Sequence, residues 1–358
     1  MRATAGFITS PRASWQLAGM PGWLLLWAAF LVPLSQASWA ADPVPAKAKV
    51  PAIRIESKDD TISWYAAEHL ITRYHTAEKH AKPYFYPLQP LPGKGVTRSW
   101  PIEEGGDEKK DHIHHRSLWF CHGDVIPEGV EYVKSSDKHV KGVDFWSEAK
   151  NHGKIVCREV AIDKESGRVV TRNEWREPGG KKILEETRTL SLTALGTDRF
   201  LLVFEIDLHA SECPITFGDT KEGSLGLRVR KTIALDTSNK KGQLVNDKGD
   251  SGELALWGRL ANWVDYSGPL GTDGPIGGVA IFADPKNPSA SGWHARAYGL
   301  LAANPFARAG SKFPDRKGDT SLVKLAKGER LKLRYGVYLH AGDVKTGGVA
   351  EAFKVFAK

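Results

Sequence analysis

Cysteine is scarce in this sequence, and its spacing excludes two classes of protein. The 358 residues include 3 cysteines, Cys121, Cys157 and Cys213, which are odd in number and far apart. Disulfide-rich secreted proteins need many paired cysteines, and zinc sites commonly use close C-x-x-C pairs. One pair could still bridge in an oxidising compartment, but we expect three buried free thiols.

The sequence also lacks a basic cluster of the kind that binds nucleic acid. Its formal net charge is +8, but Lys and Arg are spread along the chain and no basic run is interleaved with aromatic residues. We therefore expect a solvated basic surface and no nucleic-acid partner.

No apolar run is long enough to span a membrane. The most apolar stretch, residues 23–32, has 10 residues, whereas a spanning helix needs about 20. It follows a basic segment without acidic residues and precedes small residues at Ser38 and Ala40, as in a cleaved secretory signal. We predict a signal peptide over residues 1–40 and a periplasmic or secreted protein without a membrane span after cleavage. A retained N-terminal anchor is the alternative, because the basic segment is unusually long.

Residues 41–52 are rich in Pro, Ala and Lys and predict a flexible leader. After residue 52 the dominant hydrophobic period is two, which is typical of half-buried β-strands. Within residues 200–208, every second residue is a large apolar one. Residues 168–177 and 182–193 flank a Pro-Gly-Gly-Lys segment and predict a hairpin. Further strands are predicted over residues 117–122, 154–162, 224–235, 276–283, 298–302 and 330–340.

Short strands separated by Gly, Pro, Asn and Asp favour an all-β fold, an antiparallel β-sandwich. Only residues 344–358 have helical character, so we expect a short C-terminal helix there. No internal repeat interrupts the pattern, and a single domain over residues 53–358 is the simplest division.

Four of the twelve histidines lie within residues 111–124, Asp-His-Ile-His-His-Arg-Ser-Leu-Trp-Phe-Cys-His-Gly-Asp. If this segment begins extended, His112 and His114 share a face and His115 turns away. Two imidazoles beside Arg116 suit acid-base chemistry on a polar substrate, or a divalent metal.

The alternatives for this segment concern a metal and a purely structural role. The H-x-H pair is similar to cupin metal sites, which add a downstream glutamate, but residues 116–119 are Arg, Ser, Leu and Trp. We therefore predict no cofactor, while a metal at His112 and His114 stays open. A loop whose histidines only bond backbone carbonyls is the other alternative.

A second polar segment, residues 217–228, contains Asp219, Glu222 and Arg228 among three glycines. Its carboxylates are suited to act as a base or as hydroxyl acceptors, and it lacks the spacing of a phosphate-binding loop. An ordinary Gly-rich connection between strands is the alternative.

Aromatic rings recur beside single polar residues. Such groups occupy residues 82–88, 142–146, 261–268, 293–296 and 303–306. Flat apolar faces beside polar groups are what a sugar site needs, although core packing also explains each group.

Four segments together carry a resemblance to a known family. Residues 82–88 (Lys-Pro-Tyr-Phe-Tyr-Pro-Leu), 111–125, 143–146 (Val-Asp-Phe-Trp) and 218–223 (Gly-Asp-Thr-Lys-Glu-Gly) resemble an uncharacterised family of exported bacterial proteins. This family is often labelled "methane oxygenase PmoA", and the resemblance runs from about residue 60 to residue 340. The label implies a multi-span membrane protein, which this sequence does not match, so we set it aside as misleading.

The resemblance implies an exported protein of glycan-degrading bacteria, and the β-rich pattern suggests the supersandwich fold of galactose mutarotases by analogy. In mutarotases a histidine and a carboxylate exchange protons with the sugar ring. No mutarotase motif matches this sequence residue by residue.

We therefore predict an enzyme that acts on a carbohydrate or another polar small molecule by acid-base chemistry, as a hydrolase, lyase or epimerase. The expected catalytic residues are His112, His114, His115, Asp219 and Glu222. The expected substrate-binding residues are Arg116, Trp119, His122, Asp124, Trp146, Arg228 and Asn304. The alternative is a non-catalytic glycan-binding module with a shallow aromatic platform in place of a deep histidine-lined pocket.

Overall fold

Antiparallel β-strands make up nearly all the regular structure in a computed structural model that describes residues 50–104, 108–236 and 240–358. The first strands are β1 (Ile53–Lys58), β2 (Thr61–Ala66), β3 (His69–His75), β4 (Tyr84–Leu88), β5 (Leu118–His122), β6 (Val125–Pro127), β7 (Lys154–Asp163), β8 (Arg168–Arg176), β9 (Lys182–Ala194) and β10 (Arg199–His209). The remaining strands are β11 (Ile215–Phe217), β12 (Gly223–Arg228), β13 (Gln243–Asn246), β14 (Trp263–Pro269), β15 (Ile276–Ala283), β16 (Gly292–Ala295), β17 (Leu300–Asn304), β18 (Val323–Leu325) and β19 (Arg330–Ala341). The predicted signal peptide and most of the predicted leader lie outside the described residues.

Two eight-stranded sheets form the body of the fold. The first sheet has the order β1-β2-β3-β4-β5-β12-β17-β16, and the second has the order β13-β14-β15-β19-β10-β9-β8-β7. Their facing side chains share one apolar core, in which the Phe85 ring of the first sheet lies 5.3 Å from the Phe204 ring of the second. A third, smaller sheet has three strands in the order β18-β11-β6. The predicted antiparallel β-sandwich is confirmed.

The period-two patterns produce the expected strands. In β10 the alternate residues from Phe200 to Leu208 are buried, and β8 and β9 form the predicted hairpin. The strand predicted over residues 224–235 ends at Arg228, because Ile233 and Ala234 donate backbone hydrogen bonds to the Arg230 carbonyl and turn the chain. The strand predicted to begin at residue 298 begins at Leu300.

Within the described residues, helix is confined to α1 (Glu253–Leu256), α2 (Val349–Phe356) and two short 3-10 turns, Ala309–Ser311 and Pro314–Arg316. The expected C-terminal helix is confirmed as α2, which buries Val349 and Phe356 against β15 and β19. None of the described helices is long and apolar enough to cross a membrane. All three cysteines are free, with Cys121 and Cys213 buried and Cys157 half-buried.

Neighbouring strands of the first sheet position the candidate site. Trp119 on β5 pairs with Gly226 on β12, which pairs with Ala302 on β17, which pairs with His294 on β16. Residues in register across adjacent strands point to the same face of a sheet. The next residue of β5, Phe120, contacts a ring of the second sheet, so the Trp119 row lies on the face turned away from that sheet.

Candidate functional site

A cavity of about 520 Å³ opens beside this row of residues. Its volume lies within the range of small-molecule sites. Its lining comes from Gly123 and from four segments, within residues 112–115, 137–147, 220–222 and 294–298. The topology therefore brings together the two polar segments noted in the sequence, which are about 100 residues apart along the chain.

The histidine segment is a turn and not the extended chain expected from the sequence. His112 has φ 46°, in the left-handed region, and the His115 N–H donates to the His112 carbonyl at 2.9 Å. The expectation that His115 turns away from His112 is therefore wrong. Their rings stack at 4.8 Å with an interplanar angle of 1°.

The stacked pair belongs to a column of four rings. Tyr298 stacks on the outer face of His112 at 5.4 Å, and Trp119 stacks on the inner face of His115 at 5.2 Å. His114 meets the edges of both other imidazoles, at 5.7 Å and 4.5 Å. Ring stacking, together with burial of His115 and Trp119, fixes the orientation of the imidazoles.

Two buried arginines support this column from behind. Arg98 donates to the carbonyls of Lys109, Asp111 and His112 at 2.9–3.0 Å. The Asp111 carboxylate accepts hydrogen bonds from Arg98 at 2.6 Å and from Arg228 at 3.2 Å. Because a guanidinium offers five donors in a fixed plane, it can hold several carbonyls of one loop at once. The turn is thus built around these two side chains.

Glu222 also lines the cavity and lies in the loop immediately before β12. Its carboxylate pairs with the Lys221 ammonium at 2.8 Å and lies 3.8 Å from Nδ1 of His294. Burial raises the pKa of Glu222, but His294, Lys221 and His114 together outweigh burial and hold the pKa below its ordinary value. Glu222 is therefore ionised at neutral pH.

Three imidazoles of the cavity, those of His114, His115 and His294, are neutral. Burial and the nearby Lys82 ammonium lower the pKa of His114 to about 3. Burial, His114 and Arg228 together hold the pKa of His115 well below its ordinary value. Burial likewise lowers the pKa of His294 to about 4. An ionised carboxylate and several neutral imidazoles therefore share one cavity, an arrangement that can move protons to and from a polar ligand.

His294 is fixed by its neighbours on both ring nitrogens. Its Nδ1 donates to the Lys221 carbonyl at 3.0 Å, and its Nε2 accepts from Nε of Arg296 at 3.3 Å. Arg296 is itself held by Glu253 at 2.9 Å and lies over the Trp257 ring. His294 thereby orients the loop that carries Glu222.

Five expected site residues line the cavity, and Arg228 lies directly behind His115. The lining residues are His112, His114, His115, Trp146 and Glu222. In the described chain, no group of three or more His, Cys, Asp or Glu side chains is arranged to hold a metal ion.

The other expected site residues hold the surrounding loops together. Arg116 forms a two-pronged pair with Glu148 at 2.9 Å. His122 bonds the Gly218 carbonyl at 2.8 Å, and Asp124 accepts from the backbone of residues 141–142.

Asp219 and Asn304 support the loop around Glu222 and the loop that follows β17. Asp219 accepts hydrogen bonds from the backbone N–H groups of Arg308, Gly310 and Ser311 and from the Ser311 hydroxyl. Asn304 donates to the Thr220 carbonyl at 2.9 Å. Trp119 is buried under His115.

Sequence reasoning passed over several residues in the cavity lining and behind it. Arg296 and Tyr298 stand in or beside an aromatic group that was noticed but given no role, and His294 belongs to the same group. Lys82, which is buried and donates to the Trp146 carbonyl at 2.9 Å, lies in the aromatic group of residues 82–88, which also carries the family resemblance but gave the lysine no role. The signal available in the sequence was a lysine directly before Pro83 for Lys82, and a histidine two residues before Arg296 for the others.

Comparison with solved structures finds low similarity to carbohydrate-related proteins. A polysaccharide lyase is 11% identical with a TM-score of 0.35, covering 83% of this chain and 33% of the lyase, so the chain spans about a third of that protein. A galactose mutarotase related enzyme from Lactobacillus acidophilus is 8% identical with a TM-score of 0.31, covering 82% of this chain and 98% of the enzyme. A GalM/aldose epimerase homologue from C. elegans is 12% identical with a TM-score of 0.32, covering 81% and 100%.

These likenesses concern the fold alone, and no curated protein matches the chain. The family expectation drawn from the sequence motifs is confirmed at the level of an uncharacterised family. The family of unknown function DUF6807 matches residues 61–354, and the chain belongs to that family.

Proposed function

We propose that this protein is an exported carbohydrate-active enzyme that moves protons between Glu222 and a sugar or sugar derivative. One observation carries the proposal: the ionised Glu222 carboxylate shares a cavity of about 520 Å³ with the neutral His114 and His115 side chains and with His112. A general base needs a deprotonated group within reach of the substrate, and neutral imidazoles are suited to donate hydrogen bonds or accept protons.

The lining favours a carbohydrate over an apolar ligand. Polar side chains surround the cavity, while Trp146 and Tyr298 supply the aromatic surface. Sugars bind through hydroxyl hydrogen bonds together with contacts between rings and C–H groups. The volume suits a ligand of one or two sugar units.

The carboxylates in the cavity favour a lyase or epimerase over a hydrolase. Glycoside hydrolysis commonly uses two carboxyl groups that flank the bond. Asp144 is held by the Trp146 and Ser147 backbone N–H groups at 2.8 and 3.0 Å and by the Ser147 hydroxyl, and Asp137 lies on an exposed loop. Among the carboxylates that line the cavity, Glu222 is the one that accepts no hydrogen bond from a described backbone N–H group, so it can face a ligand.

A glycan-binding module is the rival function, and the depth of the site argues against it. Such a module would present a shallow aromatic platform, whereas here the histidines line a cavity and, among the described residues, Trp146 is the one tryptophan that borders it. The two functions differ in whether bound sugar is converted.

Incubation of the full-length protein with a panel of neutral, oxidised and acidic sugars, followed by NMR, tests the proposal. We expect conversion by the wild type and a loss of about 10²–10⁴-fold in Glu222→Gln, with sugar binding by calorimetry retained. Glu165→Gln, which removes an exposed carboxylate outside the cavity lining, should convert sugar normally. Binding without conversion would support the rival function, and neither binding nor conversion would overturn both.

Export is a separate part of the proposal. Mass spectrometry of the protein from the periplasm or medium should show an N-terminus near residue 41. An uncleaved chain confined to the cytoplasm would contradict export. The oxygenase label carried by resembling proteins forms no part of this proposal.

A further inference from the structure

His115 accepts a hydrogen bond from a permanently charged group. Nη1 of Arg228 lies 3.1 Å from Nδ1 of His115, and both side chains are buried. A guanidinium is protonated throughout the physiological range and can only donate. Nδ1 must therefore carry a lone pair, and the proton of the neutral ring resides on Nε2.

The neighbours of Arg228 and His115 hold both side chains in place and prevent the tautomer with the proton on Nδ1. Asp111 holds Nη2 of Arg228 at 3.2 Å, and the Tyr298 ring lies under its guanidinium at 4.5 Å. His115 is clamped between the rings of His112 and Trp119. A flip of the imidazole within the stack would turn a ring C–H towards Nη1 and leave that donor without its acceptor.

His115 lines the cavity, and its Nε2 has no hydrogen-bond partner within the described part of the chain. The one donor that the ring can offer to a ligand is therefore Nε2–H. Protonation of Nδ1 would place a second donor against the Arg228 guanidinium, so the ring cannot act as a base at neutral pH.

We infer that His115 is a fixed, neutral hydrogen-bond donor and that the substrate is a sugar derivative whose ketone or aldehyde oxygen binds Nε2–H. This inference rests on the proposed function, in which Glu222 is the base. A carboxylate base combined with a neutral imidazole donor is suited to removal of a proton next to a carbonyl.

The step balances without a further reactant. The Glu222 carboxylate takes the proton from the carbon next to the carbonyl, and the C–H electron pair forms the carbon–carbon double bond of an enolate. The carbonyl π pair moves to oxygen, where negative charge develops against His115 Nε2–H. Return of the proton from Glu222 restores the carbonyl, and exchange of that proton with solvent marks the event.

The cations at the cavity favour a ketone or aldehyde over a carboxylate as this carbonyl. Lys221 is paired with Glu222, and Arg296 is paired with Glu253. Enolisation of a carboxylate would place a second negative charge on the substrate, for which a free cation is the usual stabiliser. A neutral carbonyl needs a donor of the kind that His115 supplies.

Nitrogen NMR of the full-length protein tests the donor state directly. With ¹⁵N-histidine labelling and His115→Gln to assign the signal, we expect Nδ1 of His115 to have the shift of an unprotonated nitrogen and Nε2 that of a protonated one. The pattern should hold from pH 5 to pH 8. A proton on Nδ1, or a charged ring in that range, would overturn the inference and leave the proposed function standing.

Deuterium exchange tests the substrate class. Methyl 3-keto-glucopyranoside in D₂O should lose its C2 or C4 proton signal with the wild type, whereas methyl glucopyranoside, which lacks the ketone, should not exchange. His115→Phe should lower the exchange rate about 10²–10³-fold, the loss found when one such donor is removed. His115→Gln retains an amide donor and should lose markedly less.

The outcomes separate the two proposals. Conversion of carbonyl-free sugars that depends on Glu222, with no exchange on the keto probe, would overturn the substrate class alone. Equal losses in His115→Phe and His115→Gln would show that the ring acts through packing and would overturn the donor role. Conversion of no sugar at all would overturn the proposed function.

Discussion

The Glu222 carboxylate lies 3.8 Å from Nδ1 of His294, although the two residues are 72 positions apart in the chain. Pairing of β12, β17 and β16 brings the start of one strand next to the side chain of another. The backbone carbonyl of Lys221 accepts the His294 Nδ1 proton, so the ring orients the loop while its dipole favours the ionised carboxylate. The strand order of the first sheet thus helps to keep Glu222 ionised, because it brings His294 beside the carboxylate.

The pH dependence of activity should follow Glu222. Its pKa lies below the ordinary value of 4.5, because His294, Lys221 and His114 outweigh the effect of burial. A base is active when deprotonated, so kcat should be constant through neutral pH and fall as the pH drops below that range. Lys221→Met removes a positive charge 2.8 Å away and should move the acid limb to higher pH.

A profile of kcat against pH for both proteins checks this, with Lys164→Met as the control for removal of an exposed lysine outside the cavity. A limb between pH 6 and 7 in the wild type would indicate a titrating histidine and would contradict the assignment of Glu222 as the base. An unshifted limb in Lys221→Met would show that the ion pair does not tune it.

Asp219 should matter for stability and not for proton transfer. It accepts four hydrogen bonds from residues 308–311, and the cavity lining does not include it. Asp219→Asn keeps the shape but weakens charge-assisted bonds, so we expect a loss of about 1–3 kcal/mol in the free energy of unfolding. The kcat of the folded fraction should stay within about twofold of wild type. A loss of kcat comparable to that of Glu222→Gln would restore Asp219 to a catalytic role.

The sequence sufficed for the parts of the fold that depend on local pattern. Strand β10, the β8–β9 hairpin and helix α2 follow from alternation, turn residues and amphipathic spacing. The side-chain partners did not follow, because Arg116 finds Glu148 and Asp219 finds residues 308–311 only through tertiary contacts. His294 was missed for the same reason, since its strand adjoins the site only through β17.

The histidine turn shows the same limit at closer range. An extended segment was the simplest conformation for residues 111–114, and it separates His115 from His112. Arg98 reverses that outcome by collecting the carbonyls of the turn, and Arg98 lies in a part of the sequence without a motif. The cluster of histidines in the sequence was enough to predict where the site lies. Its geometry depends on Arg98, which lies outside that cluster.

We expect glycine to be required at position 226, because two tryptophan rings leave no room there for a side chain. A Cβ atom at this position would lie 2.8 Å from Cη2 of Trp146 and 2.9 Å from Cζ2 of Trp119. Both rings are buried, so Gly226→Ala should lower the free energy of unfolding by about 1–3 kcal/mol through overpacking. Gly95→Ala, whose nearest atom would be 3.7 Å away, should change stability by less than about 0.5 kcal/mol.

Urea unfolding followed by tryptophan fluorescence measures both variants, and the native spectrum of Gly226→Ala should differ because two rings move. Stability equal to that of Gly95→Ala would show that the rings yield without strain. The absence of a Cβ at Gly226 would then have no role in packing.

Breaking a buried ion pair inside the sandwich should strongly lower the free energy of unfolding. Glu186 accepts a hydrogen bond from Nε of Arg188 at 2.6 Å and another from Trp175 at 2.8 Å, and both charged side chains are fully buried. Glu186→Gln would leave the Arg188 charge uncompensated in the core, which typically costs about 3–5 kcal/mol. The Tyr74 hydroxyl, which Arg188 contacts at 3.0 Å, cannot replace a carboxylate, because it carries no charge.

The control is the exposed pair between Glu205 and Arg168, which lies on the same sheet with a contact of 2.6 Å. Because water screens and solvates both partners, Glu205→Gln should change the free energy of unfolding by less than about 1 kcal/mol. Urea denaturation at pH 7 gives both values. Similar small effects in the two variants would mean that water or a shift of neighbouring groups compensates Arg188, and the core would then be more polar than its burial implies.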